Sequence, residues 1–242
     1  MRYAVVADLH GRRKAWRRVL ADVERHRPDQ VICLGDYLEA KVSWRRHDRS
    51  RRWDLEDVVD PDPKLWHELA VVDLVLGNQE WRIRDLLKND QIVGDLTILL
   101  AAPETRMIGA ATAMHGHQIG WEEWPDRRAP SMVVYPRLEE LPDVPMLMVG
   151  HSHQVLLLDI AAHDWFNRDR ADDSDSDEPE STGVPAARRW AVTPGHPIPV
   201  EVASRGGRRL FVNIGAARGK PSHWVLYDDT TSELTFHEVG PD

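Results

Sequence analysis

The chain has 242 residues, 42% of them hydrophobic and 29% charged, with a net charge of −9 and a pI near 5.7. That is enough chain for one soluble α/β domain with a substantial core, and its acidic balance disfavours duplex nucleic acid as the main partner. No run approaches a membrane span, the first strand starts too early to leave room for a signal peptide, and the single cysteine, Cys33, cannot form an internal disulfide, so a cytoplasmic protein is expected.

Residues 3–7 form a short apolar run that reads as a buried strand ending at Asp8-Leu9-His10. Ala15, Trp16, Val19, Leu20 and Val23 then recur at helical spacing, which predicts an amphipathic helix over 15–26. Residues 30–34 read as a second strand, ending at Gly35-Asp36. Residues 40–63 are rich in Arg, Asp and Trp, show no clear period and end in Pro61 and Pro63. They read as a charged excursion in which Trp44 and Trp53 pack onto the domain in preference to stacking on a base. Residues 71–76 predict a third strand, ending at Gly77-Asn78, and residues 80–88 a helix.

Two further runs, 110–114 and 146–149, lead into His115-Gly116-His117 and Gly150-His151-Ser152-His153. Residues 169–187 are acidic and lack apolar anchors, so they cannot bury enough surface to offset ordering entropy and read as an inserted loop. Runs at 209–213, 223–227 and 233–237 predict three terminal strands. The whole, residues 1–242, reads as a single domain.

Taken singly, each polar cluster is ordinary turn chemistry. Their shared position, just after an apolar strand, is the place where α/β sheets bind ligands. Together they offer Asp8, His10, Asp36, Asn78, His115, His151 and His153. This set is too large for one tetrahedral zinc. It matches two divalent ions sharing a carboxylate, and a pair held roughly 3.5–4 Å apart forms a clamp for in-line displacement at phosphorus. Carboxylates and an amide oxygen suit Mn or Mg, imidazoles extend the choice to Fe, Zn or Ni, and the lack of thiolate argues against structural zinc.

The ordered set Asp-x-His, Gly-Asp, Gly-Asn, His and Gly-His-x-His resembles the calcineurin-like metallophosphoesterase superfamily over about residues 2–159. Residues 212–218 look like the Asn-Pro-Gly-Ser segment of its small bacterial and archaeal phosphodiesterase branch, with Ile214 where proline is usual. The resemblance implies a two-sheet mixed β sandwich flanked by helices. It also implies one metal held by Asp8, His10, Asp36 and His153, and a second by Asp36, Asn78, His115 and His151, with Asp36 bridging. A hydroxide bridging the two ions would attack a phosphodiester or small organic phosphate, with Asp36 and Asn78 in the catalytic set. The histidine usual after Gly-Asn is replaced by Gln79, which can hydrogen-bond a phosphoryl oxygen but cannot deliver a proton.

His117 and His223 are the possible substitutes for that acid, although each reads more simply as a histidine outside the reaction, and Glu39 reads as a solvated carboxylate. Arg12 and Arg13, at the start of the first helix, are candidates for substrate binding. The expected partner is a phosphorylated small molecule, with single-stranded nucleic acid as the alternative and no membrane. A nuclease, a protein phosphatase and a non-catalytic metal-bound binding module are the competing functions.

Overall fold

The structure is a computed structural model that describes residues 1–125, 132–161, 187–200 and 208–240. Strand β1 (Arg2–Val6) is apolar at every position after Arg2 because both of its faces are covered. Tyr3 and Val5 face a second sheet, whereas Ala4 and Val6 face helices. Its neighbour β2 (Gln30–Cys33) runs parallel, with Val5 opposite Ile32, and β3 (Asp73–Leu74) continues the parallel set. On the other side, β13 (Ser222–Asp228), β14 (Glu233–Val239) and β11 (Pro197–Pro199) add antiparallel strands, giving the order β11-β14-β13-β1-β2-β3.

The second sheet has the order β10-β9-β12-β8-β5-β4. Its strands are β4 (Thr105–Ile108), β5 (Ala111–Met114), β8 (Met146–Val149), β9 (Val155–Ala161), β10 (Ala187–Arg189) and β12 (Arg208–Ile214). Strands β5, β8 and β12 are mutually parallel, with Met148 opposite both Ala113 and Val212. Val5, Ile32, Met146, Met148, Val212 and Val225 help fill the layer between the two sheets. The mixed sandwich expected from the resemblance is therefore the observed fold. A hairpin of β6 (Trp121–Pro125) and β7 (Met132–Pro136) packs outside the second sheet; the adjacent Glu122 and Glu123 break period-two alternation, which hides it from sequence reading.

Helix α1 (Arg13–His26) buries Ala15, Trp16, Val19 and Val23 against the first sheet, as its spacing predicts. The excursion after β2 is ordered. Ala40 bridges Val59, the short helix α2 (Leu55–Val58) follows, and Trp53 is buried with its indole N–H on the Asp48 carbonyl at 2.9 Å. Trp44 behaves otherwise. It is 61% exposed and stacks with His47 and Trp81 above Arg82.

The third predicted strand shrinks to two residues. Asp62 accepts the Leu65 N–H at 3.0 Å and Pro63 pre-sets the first turn, so α3 (Pro63–Ala70) runs to the edge of that apolar run. Helix α4 (Asn78–Leu86) starts two residues before its predicted position, and α5 (Asp95–Leu100) packs beside α3 and α4. The acidic run 169–187 lies outside the described residues except for Ala187. Among the described residues, no helix is long and apolar enough to cross a membrane.

Candidate metal centre

The carboxyl ends of the parallel strands of both sheets converge, and all seven predicted ligands sit there. Asp8 and His10 follow β1, Asp36 follows β2, Asn78 opens α4, His115 follows β5, and His151 and His153 follow β8. They form two groups. In the first, Asp8 Oδ1 lies 3.4 Å from His153 Nε2 and 3.9 Å from His10 Nε2, and the two imidazole nitrogens are 3.2 Å apart. In the second, Asn78 Oδ1 lies 3.0 Å from His115 Nε2 and 3.1 Å from His151 Nδ1, with the two nitrogens 3.3 Å apart. Asp36 faces both: Oδ2 is 3.8 Å from His10 Nε2, and Oδ1 is 3.3 Å from His115 Nε2.

These separations fit two ions. Ligand bonds of about 2.0–2.2 Å place neighbouring donors around one ion roughly 3–3.6 Å apart, close to the 3.0–3.9 Å seen. Asp8 Oδ2 accepts the His151 backbone N–H at 2.9 Å, yet among the described residues the buried Oδ1 has no hydrogen-bond partner. His115 donates Nδ1–H to the Leu34 carbonyl at 2.7 Å, which turns Nε2 toward the centre. Glu39 takes the Nδ1–H of His10 in the same way, so this carboxylate is no solvated bystander.

The charged groups of the centre shift one another strongly. Burial would lower the His115 imidazole, but the charge of Asp36 and its hydrogen bond raise it to about 9. Burial opposes ionisation of Asp36, yet His115 holds it at about 2. Burial and then His115 push His151 down to about 4.

Five of the ligand residues have left-handed backbone: Asp8 (φ 55°), His10 (50°), Asp36 (51°), His151 (70°) and His153 (61°). Each such non-glycine residue costs on the order of 1–3 kcal/mol, and strain of this kind concentrates at functional sites. Two glycines let the loops meet. A Cβ on Gly77 would lie 2.2 Å from Asp36 N, and one on Gly150 would lie 2.5 Å from the Ala7 Cβ.

Glu80 locks this arrangement. It is fully buried, and Oε2 accepts the N–H of Asp36 (2.9 Å) and of Gly77 (3.0 Å) while Oε1 accepts that of Leu38 (2.7 Å). The sequence reading missed its role, although an acidic residue directly after Gly-Asn-x was a usable signal. Segment 212–218 supports the first group from below. Ala217 and Arg218 donate backbone N–H to the carbonyls of Ala7 and Asp8, and Asn213 donates to Ser152 Oγ at 2.6 Å. Trp121 of the hairpin lies against His151.

The remaining candidates divide. Gln79 is beside the centre, its backbone N–H on Asp36 Oδ1 at 2.9 Å and its Oε1 accepting from Ala40 and Arg82. His117 packs against His115 and His151, and burial followed by their charge pushes it down to about 4, so it is neutral at pH 7. His223 instead faces Glu238 on the neighbouring strand. Arg13 is paired with Glu68 at 2.6 Å. Arg12 lines a cavity of about 1050 Å³ together with Lys14, Arg18, Arg25, Arg218 and Lys220, and the Arg218 guanidinium reaches within 3.4 Å of His153 Nδ1. This acidic protein thus concentrates cations in a groove beside its first ligand group. Arg218 was not singled out from the sequence.

A mixed two-sheet sandwich with two Asp/His clusters at its strand ends is the scaffold of a metal-using phosphoric ester hydrolase. The chain belongs to the calcineurin-like phosphoesterase family, whose model matches residues 1–155. The family uses divalent metals, and both clusters can take them. The metallophosphoesterase from Sphaerobacter thermophilus shares the fold, with a TM-score of 0.58 at 18% identity over 100% of this chain and 89% of that one. The E. coli phosphoesterase YfcE matches 99% of this chain and 100% of its own, at 15% identity and a TM-score of 0.42. A novel archaeal phosphodiesterase matches 98% of this chain and 99% of its own, at 11% identity and 0.43. No curated protein matches the chain at a significant level.

Proposed function

We propose that this phosphoesterase is dinuclear and acts on phosphodiesters, or on small organic phosphates with a good leaving group. The observation that carries this reading is Asp36, whose two carboxylate oxygens face separate ligand groups. Asp8, His10 and His153 would hold one ion and Asn78, His115 and His151 the other, with Mn the first candidate and Fe, Zn, Ni or Mg as alternatives. When bound, such a pair supplies an activated water and neutralises charge at phosphorus.

The chain's own residues do the rest. Leu34 and Glu39 orient His115 and His10, and Glu80 fixes the loops that carry Asp36 and Asn78. With Oε1 already engaged, Gln79 has its Nε2 donor for a phosphoryl oxygen and no proton to give. His117, neutral at pH 7, is an acceptor more than an acid. Weak protonation of the leaving group favours activated diesters. Gln79→His is expected to raise turnover of alkyl esters by about 10²-fold, the low end of acid catalysis, and that of aryl diesters much less. Equal gains on both substrates would contradict this account. The decisive survey is metal-reconstituted protein against phosphomonoesters, phosphodiesters, nucleotides and single-stranded DNA. A preference for single-stranded DNA would make the chain a nuclease, turnover of phosphoproteins alone a protein phosphatase, and no turnover of any of them a metal-bound binding module.

The basic groove gives an anionic substrate a path to the first ligand group. Arg12→Ala is expected to lower kcat/KM about fivefold at low salt and less at high salt, since exposed charges act through a screened field. Arg13→Ala should matter less because Glu68 already holds that guanidinium. Metal content should be intact in both. Equal, salt-independent effects would count against guidance by the groove.

A further inference from the structure

At the far end of α1, roughly 20 Å along the helix from Arg13 by its rise per residue, a second cluster is not used by the phosphoesterase centre. Asp22 and His26 lie one turn apart on α1, and His237 reaches them from β14; one ligand atom from each lies within 4.8 Å of the others. We propose that Asp22, His26 and His237 form a third metal site, for a single transition ion of which Zn²⁺ is the reference probe.

Four observations carry it. His237 is only 8% exposed, and among the described residues its buried Nε2 has no hydrogen-bond partner. An uncompensated buried polar atom is costly, and a bound ion would satisfy it. Trp224 orients two of the ligands at once: its ring stacks flat on His237 at 4.1 Å and 9°, and its indole N–H donates to Asp22 Oδ2 at 2.8 Å. This is the kind of outer support that metal ligands need. The two imidazoles and one carboxylate suit Zn, Ni or Co better than Mg or Ca. Finally, His26 and His237 border a cavity of about 250 Å³ that Thr235, Asp228 and Glu233 also line, so a fourth position can take water.

Arg25 pairs with Asp22, but its side chain is 69% exposed and can swing away, and the carboxylate keeps further lone pairs for an ion. The alternative is a packing cluster, in which His26 and His237 merely lie in ring contact at 4.3 Å.

The test compares total bound metal in Mn²⁺-loaded protein dialysed against micromolar Zn²⁺, for wild type, His26→Gln and His237→Phe. His26→Gln guards against misfolding, because His26 is a half-buried residue in the last turn of α1. Wild type should hold one equivalent more than either variant, or bind Zn²⁺ at least about tenfold more tightly at that equivalent. Hydrolysis of an activated diester should be unchanged, and anomalous scattering should place the extra ion between α1 and β14. Equal metal content in wild type and His26→Gln would overturn the proposal, as would a peak elsewhere or a parallel loss of hydrolysis.

Discussion

Asp36→Asn is expected to lower kcat/KM by at least about 10³-fold, the equivalent of roughly 4 kcal/mol and in the range of charge stabilisation by metal ions. Metal content should fall below one equivalent. The substitution is almost isosteric, and asparagine tolerates left-handed backbone, so the φ of 51° at this position adds no new strain. What changes is charge and the number of ligating oxygens. An amide offers one oxygen, while Asp36 turns one oxygen to each ligand group. Both halves should therefore weaken together. His115→Ala touches one group only and should leave about one equivalent in place. Metal analysis beside steady-state kinetics separates the two patterns. Two retained equivalents in Asp36→Asn would rule out the bridging role.

The seven candidate ligands stand together because each follows the end of an apolar run. Short apolar runs mark strands buried on both faces, and the polar residue that stops such a run stands at the sheet's carboxyl edge. The runs alone do not reveal which sheet they join: β1 and β8 look alike in sequence yet lie in different sheets. What stayed hidden depends on contacts between distant residues. Glu80 caps an N–H 44 residues away, and although its place directly after Gly77-Asn78-Gln79 marks it, nothing local names the N–H groups it holds. Glu39 keeps 45% of its side chain exposed, and only the placement of His10 against it shows what it does.

Neighbours of similar chemistry also part ways. Arg13 turns to Glu68 while Arg12 lines the groove, and Trp53 is buried while Trp44 is exposed. Composition cannot assign those faces. The third strand is shorter than its apolar run because Val71 and Val72 make the turn that ends α3, the Val72 N–H reaching the Leu69 carbonyl at 3.2 Å.

Glu80→Gln is expected to destabilise the fold by about 3 kcal/mol and Glu80→Ala by somewhat more, as a buried network loses a member. Three backbone N–H groups point at this carboxylate, two on Oε2 and one on Oε1. Burial and then the charge of Asp36 push its carboxyl up, and the N–H groups of Leu38 and Asp36 pull the other way by holding the ionised form. A glutamine oxygen can serve Asp36 and Gly77 or else Leu38, but its amide group must then confront the remaining N–H. At about 2–4 °C per kcal/mol for a chain of this size, Glu80→Gln should lose roughly 6–12 °C in Tm. The effect should reach the chemistry too, because Glu80 anchors the backbone at Asp36 and at Gly77, beside Asn78. Metal affinity should fall about 10–100-fold, the usual cost of losing an outer support, while Glu80→Asp, with a shorter reach, should recover part of the stability. Thermal unfolding of metal-free protein isolates the first effect and metal titration the second. A Tm within about 1 °C of wild type in Glu80→Gln would show that the loops hold their shape without this carboxylate.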